Sequence, residues 1–166
     1  MRNRVPAVVL AVALVSVLAL LAVPAAASGG SGSKVTRLAA TLSGANEVPG
    51  PGDPDGRGLG LVRTGKQRVC FALGWTGIAP PIFAHIHVGA AGVAGPVVVL
   101  FFDVPELTGA PTATLPATVA AAGGCVDGQD PALLRNIRRD PASYYVNIHT
   151  LEFVPGAIRG QLRRVA

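Results

Sequence analysis

The segment from Ala84 to Phe102 constrains the fold of this chain more than any other. It reads AHIHVGAAGVAGPVVVLFF, a strand-like run followed by a glycine-rich loop and a second apolar run of strand-forming residues. Side chains alternate between the two faces of a strand, so His85 and His87 leave one face and the apolar residues beside them leave the other. The segment therefore predicts two strands joined by a defined loop, the first strand with a polar and an apolar face.

The chain has only one further histidine, His149, and it lies in a segment with the same alternation. In YYVNIHT, three apolar or aromatic residues alternate with Tyr145, Asn147 and His149. All three histidines are therefore predicted on the polar faces of two strands. If these strands are neighbours in one sheet, the three imidazoles converge.

The remaining residues also favour short strands. The chain contains 21 glycines and 14 prolines, and they interrupt apolar runs about every ten residues, which is typical of sandwiches and barrels. Further strands are predicted over Lys34–Leu42, Arg57–Arg63, Arg68–Trp75, Thr112–Ala120, Ser143–Thr150 and Ala157–Arg163. We expect an all-β fold, an antiparallel β-sandwich or barrel with Greek-key-like connections.

One short helix is expected, over Asp130–Arg139. Asp130 is a favourable N-cap, Pro131 suits the first helical position, and three apolar residues of the segment face one way. Asp140 and Pro141 end it.

The N-terminal residues have the composition of a targeting segment. Arg2 and Arg4 precede an almost wholly apolar run, Val5–Val23, and Ala25–Ala27 fits a signal-peptidase site. We interpret residues 1–27 as a signal peptide, 28–33 (SGGSGS) as a flexible linker and 34–166 as one domain. The apolar run is long enough that an uncleaved membrane anchor is the alternative, and both readings place the domain outside the cytoplasm, secreted or in the cell envelope.

Charge gives no sign of a nucleic-acid partner. The full chain has 14 basic and 9 acidic residues, and removal of Arg2 and Arg4 leaves 12 against 9. The basic residues form no continuous stripe with interleaved aromatic residues.

The two cysteines, Cys70 and Cys125, are predicted to form a disulfide. An even cysteine count in an exported chain favours a bridge, and two buried thiols are the alternative. A redox-catalytic role is not expected, because the chain has no C-x-x-C motif.

The histidines carry the clearest chemical signal. Two imidazoles on one strand face and a third on a neighbouring strand suit copper or zinc. In that reading the nearby polar residues orient the rings. These residues are Tyr145, Asn147, Arg159 and Gln161. The alternative is that the histidines and these four residues form only a hydrogen-bonded polar cluster on the outer sheet face.

Other sites are weaker. Asp53 and Asp55, in the turn-rich segment NEVPGPGDPDG, lack EF-hand spacing, so Asx-type turns are favoured over calcium. The chain has no G-x-S-x-G motif, no phosphate-binding glycine pattern before a helix and no pair of carboxylates in a glycosidase-like context. We therefore expect no enzyme activity.

Two long motifs resemble the CHRD domain, which is named after chordin and also occurs in small secreted bacterial proteins. They are AHIHVGAAGVAGPVVVL and YYVNIHTLEFVPGAIRGQL, supported by LSGANEVPGPGDPDGRG and the residues around Cys70. The similarity runs from about Ala39 to Leu162. It implies an all-β domain and says little about activity.

The resemblance and the histidines lead to two hypotheses of function. In the first, the protein is a non-catalytic extracellular module that binds another protein or a surface polymer. In the second, it is a periplasmic or extracellular copper- or zinc-binding protein. A membrane is expected as a partner only if the leader is uncleaved.

We predict cleavage after Ala27, because small residues there follow a basic and then an apolar segment. N-terminal sequencing of protein recovered from the medium or the envelope should begin at Ser28. Intact Met1 in a membrane fraction would instead identify residues 5–23 as an anchor.

Overall fold

The computed structural model describes residues 35–104 and 120–165. The predicted signal peptide and linker, residues 1–33, lie outside these ranges. The strand predicted over Thr112–Ala120 also lies outside them, except for Ala120, which immediately precedes a strand.

The described residues form an antiparallel sheet of nine strands with one α-helix. The elements in chain order are β1 (Thr36–Ser43), β2 (Arg57–Thr64), β3 (Val69–Thr76), β4 (Pro81–Val88), β5 (Val97–Asp103), β6 (Ala121–Val126), α1 (Pro131–Arg139), β7 (Tyr144–Thr150), β8 (Ile158–Gln161) and β9 (Arg163–Arg164). The strand order is β5-β4-β7-β8-β1-β2-β3-β6, and β9 pairs with β1 beyond the end of β8. The sheet is nearly closed into a barrel, so the predicted all-β class is confirmed.

The connections explain how the two histidine-bearing strands become neighbours. Strands β1, β2 and β3 follow one another, and the chain then crosses to the far side of the sheet to form β4 and β5. It returns to β3 with β6, and β7 then pairs with β4. These crossings are Greek-key-like, and they bring segments about 60 residues apart in the sequence side by side.

Strand β6, AAGGCV, has no counterpart among the predicted strands. Its small residues and two glycines have low strand propensity, so the local sequence gives little signal. Pairing along β3 forms it, with Cys70 opposite Cys125, and the two residues are disulfide-bonded. The predicted bridge is confirmed.

The apolar core lies inside the barrel. Alternate residues of β7, namely Tyr144, Val146 and Ile148, belong to it, as does the face of β3 that includes Leu73 and Trp75. Helix α1 adds the fully buried Leu134 and Ile137. The Asp130 carboxylate accepts hydrogen bonds from the amides of Ala132 and Leu133, as expected of the N-cap.

Within the described ranges, no helix is both long and apolar enough to span a membrane.

We predict that removing the Cys70–Cys125 bridge lowers the free energy of unfolding by at most about 4 kcal/mol. The bridge closes a span of 55 residues, and its loss increases the entropy of the unfolded chain. Urea unfolding of the Cys70→Ser/Cys125→Ser protein should show this loss against wild type. Reductant should lower the free energy of unfolding of the wild-type protein toward that of the double variant. It should leave the free energy of unfolding of the double variant unchanged. Equal stability of the two oxidised proteins would contradict the prediction.

Candidate metal centre

The register between β4 and β7 sets the positions of the histidines. His85 lies opposite Asn147, His87 opposite Tyr145, and His149 opposite Phe83. His85 and His149 are therefore diagonal neighbours on the same face of the sheet.

The three imidazoles form a compact group. The ring centre of His85 lies 4.5 Å from that of His87 and 4.6 Å from that of His149. The ring centres of His87 and His149 are 6.5 Å apart. One ring nitrogen from each residue lies within 4.8 Å of the others. The predicted convergence of the three histidines is confirmed.

The face that carries the histidines is the outer face of the sheet, yet loops cover it. His85 and His149 are only 8 % and 7 % exposed. The β4–β5 loop, residues 89–96, and the β7–β8 loop, residues 151–157, contribute backbone carbonyls that bond to the histidines. The β1–β2 loop joins this cover through Asn46, whose amide donates to the Arg159 carbonyl. The cluster is consequently held in a largely water-excluded environment.

The loop carbonyls determine which nitrogen of two rings is protonated. His87 Nδ1 lies 2.6 Å from the Gly95 carbonyl oxygen, and His149 Nδ1 lies 2.8 Å from that of Val154. A carbonyl oxygen can only accept, so both Nδ1 atoms must donate. In the neutral rings, each Nε2 then carries a lone pair.

One buried ring nitrogen of each histidine has no hydrogen-bond partner within the described residues. These atoms are His85 Nδ1, His87 Nε2 and His149 Nε2. Buried polar atoms are normally paired, so three unpaired nitrogens in one cluster require an explanation. An imidazole whose Nδ1 donates to a carbonyl while its Nε2 is free is the usual arrangement of a metal ligand.

Burial keeps the three rings neutral. It lowers the pKa of His85 to about 3, assisted by repulsion from protonated His149 and His87. Burial also lowers the pKa of His87 and of His149, against the opposing effect of their hydrogen bonds to Gly95 and Val154. The neutral ring is the form that binds a metal.

The four polar residues predicted around the histidines lie on the same face but have different contacts. The Tyr145 ring stacks on His87 with their centres 4.7 Å apart, and the Arg159 guanidinium carbon lies 3.6 Å from the centre of that same Tyr145 ring. Gln161 donates to the Gly89 carbonyl and so holds the β4–β5 loop. Asn147 of β7 pairs with His85 of β4 on one side and with Arg159 of β8 on the other.

Sequence reasoning missed Glu47. Glu47 is only 8 % exposed, and its Oε1 atom has no hydrogen-bond partner in the described part of the chain. Burial raises the pKa of Glu47 to about 7, against the attraction of Arg159. A side chain at Gly52 or Gly156 would run into Glu47, so these glycines make room for it. Only the combination of a glutamate with distant glycines marks this position, and a single sequence does not reveal it.

Glu47 and Arg159 line a cleft of about 440 Å³ next to the covered face. Ala91 and Gly92 of the β4–β5 loop also line it. Arg159, Gly160 and Gln161 of β8 line the cleft, and none of the three histidines does.

The acidic turn considered for calcium has another explanation. The Asp53 carboxylate accepts a hydrogen bond from the Asp55 amide at 3.1 Å, which is the expected Asx turn. Across residues 35–104 and 120–165, the histidine cluster is the only group of three potential metal-binding side chains close together, and neither aspartate belongs to it.

The chain matches a known protein family. The sequence model of the CHRD domain family matches residues 38–162, which is most of the chain. Comparisons with curated proteins and with solved structures give no match. CHRD domains occur in extracellular and secreted proteins.

We predict that acid destabilises the metal-free protein. A histidine whose folded pKa is lowered contributes stability above its unfolded pKa, and this is lost as the pH falls. Below about pH 6.5 the unfolded chain takes up protons on three histidines that the native state resists. Glu47 has the opposite effect between its unfolded value of 4.5 and about 7, because its folded pKa is raised. The free energy of unfolding should therefore fall between about pH 6.5 and 5. The slope is up to about 1.4 kcal/mol per pH unit for each proton that the unfolded chain binds in excess of the folded protein.

Urea unfolding at several pH values tests this prediction with two variants of opposite sign. His85→Gln should flatten the dependence on pH, since it removes one of the three protons. Glu47→Gln should steepen it, since it removes the opposing proton uptake. A stability that is flat or rises on acidification through this range would contradict the assignment of neutral, buried histidines.

Proposed function

Because this chain belongs to the CHRD domain family and gathers three buried imidazoles on one sheet face, we propose that it is a non-catalytic extracellular module that binds copper or zinc. His85, His87 and His149 are the proposed ligands. A secreted or cell-envelope location is part of the proposal, and it rests on the N-terminal sequence and on where CHRD domains occur.

One observation supports the metal more than any other. Each histidine has a buried ring nitrogen without a partner, and for His87 and His149 a loop carbonyl fixes the tautomer that leaves Nε2 free. A purely hydrogen-bonded cluster would satisfy these atoms by bonding the polar side chains to one another. Tyr145 and Gln161 instead bond to loop backbone atoms.

The dimensions are also close to those of a metal site. Nitrogens bound at about 2.0–2.1 Å to one tetrahedral ion lie about 3.4 Å apart. The potential ligand atoms here lie within 4.8 Å of one another, so small ring rotations would bring them to an ion. Imidazole suits both copper and zinc, whereas calcium and magnesium require oxygen ligands.

A macromolecular partner is the second candidate, and the outer face of β2 favours it. Leu59 and Leu61 are 47 % and 46 % exposed there, between the exposed Arg57 and Arg63. Arginine with exposed apolar side chains is common at protein interfaces. This face belongs to a different part of the sheet from the histidines, so the two binding functions are compatible.

We predict stoichiometric metal binding that depends on all three histidines. Calorimetric titration of metal-free protein with zinc, cupric and, without oxygen, cuprous ions should give one site in at least one case. His87→Ala and His149→Ala should each remove it. Affinity should fall on acidification, because protons compete for the same nitrogens.

Asp55→Asn is the matched control for this experiment, since it removes an exposed acidic side chain away from the cluster. It should leave binding unchanged. If none of the three ions binds more tightly than about 10 μM, a metal-binding function is excluded and the macromolecular partner remains.

A further inference from the structure

We propose that the ion bound at His85, His87 and His149 is cuprous copper, selected over cupric copper and zinc by the buried charge of Arg159 and by the presence of only three converging ligands among the described residues. This inference rests on the proposed metal-binding function and specifies its ligand.

The charge of the site favours a singly charged ion. All three ligands are neutral imidazoles, so they cancel none of the charge of a bound ion. Moving an ion out of water is costly, and the cost rises steeply with its charge. A cupric or zinc ion would bring two uncompensated positive charges into this covered site, whereas a cuprous ion would bring one and would cost less to bury.

Arg159 increases the difference in cost between burying a doubly charged ion and burying a cuprous ion. It is the largest fully buried side chain among the described residues, at 2 % exposure. Its guanidinium carbon lies 3.6 Å from the centre of the Tyr145 ring, and that centre lies 4.7 Å from the His87 ring centre. The guanidinium is therefore at most 8.3 Å from the ring of a ligand. An ion bound about 2 Å from a His87 nitrogen lies about 3 Å from that ring centre, so it is at most about 11 Å from the guanidinium. At that distance, and an effective dielectric constant of about 20, one positive charge disfavours each additional charge on the ion about tenfold.

The charge of Arg159 is only weakly compensated. Its guanidinium donates to the carbonyls of Ala90 and Val93, which are neutral, and no carboxylate of the described residues forms an ion pair with it. Glu47 is the acidic group that attracts it, and burial raises the pKa of that carboxyl to about 7, so its negative charge is incomplete at neutral pH. The guanidinium therefore adds positive charge beside the site that no ion pair within the described residues neutralises.

The number of ligands also favours a cuprous ion. Within the described ranges only three potential ligands converge. Aromatic rings flank them, with Phe83 edge-on to His149 and Tyr145 stacked on His87. Zinc held by three histidines completes its coordination with a water, and cupric ions favour four-coordinate tetragonal sites, so both need a further ligand inside this covered face. A cuprous ion is stable with three nitrogen ligands, so it needs nothing that this cluster lacks.

The test is a competition among ions on the full-length protein. Cuprous ion is supplied as its acetonitrile complex without oxygen and is titrated against a chromophoric cuprous chelator of known affinity. Zinc and cupric ions are titrated in parallel against their own chelators. We expect cuprous binding to be the tightest, and the potential of the bound copper to lie above that of the aqueous cupric/cuprous couple.

Two substitutions separate charge from packing. Arg159→Met removes the charge and keeps much of the bulk, and it should reduce the preference for cuprous over cupric ion about tenfold, a fall in potential of about 60 mV. Arg159→Lys keeps the charge and should retain most of the preference. The thermal transition of each variant shows whether it folds, and if Arg159→Met does not, the wild-type affinities alone decide.

The outcomes distinguish the two proposals. Zinc or cupric ion bound as tightly as cuprous ion would overturn this inference and leave the metal-binding function in place. Equal loss of preference in folded Arg159→Met and Arg159→Lys would overturn the argument from charge. No binding of any of the three ions would remove the proposed function itself.

Discussion

The antiparallel pairing of β4 with β7 is the interaction on which the candidate site depends. It places His85 opposite Asn147 and His87 opposite Tyr145, so that His149 falls diagonally beside His85. A shift of one residue in this register would turn His149 to the opposite face and into the apolar core. The same pairing buries Val146 and Ile148 on the inner side. The free energy that fixes the register is thus mostly hydrophobic, and the geometry of the polar face is a consequence of it.

Covering the polar face is unusual for an antiparallel sheet, which commonly leaves its outer face in water. Here every residue of β7 is buried, including those of the polar face. The cover is made of loops, and side chains of the face hold them in place. Arg159 binds the carbonyls of Ala90 and Val93, and Tyr145 accepts the Gly95 amide. The residues that hold the loops are therefore also those that set the polarity and charge around the histidines.

This arrangement concentrates unsatisfied polar atoms instead of dispersing them. Six buried side-chain atoms lack partners among the described residues, and five of them lie on or next to one face of the sheet. These five are three histidine nitrogens, Asn147 Oδ1 and Glu47 Oε1, and the sixth is Thr64 Oγ1 at the end of β2. Each such atom normally costs about 1–3 kcal/mol when it is buried without a partner. A fold that keeps several of them in one place is expected to recover that free energy when a ligand binds.

The sequence by itself determined the all-β class, the helix over Pro131–Arg139, the disulfide partners and the polar-face placement of all three histidines. These features depend on local alternation, capping and cysteine count, which a single chain displays directly. The adjacency of β4 and β7, strand β6, the loop cover and the burial of Glu47 and Arg159 required the tertiary structure. They arise from contacts between segments far apart in the chain, and a local pattern contains no information on which distant segment it will meet.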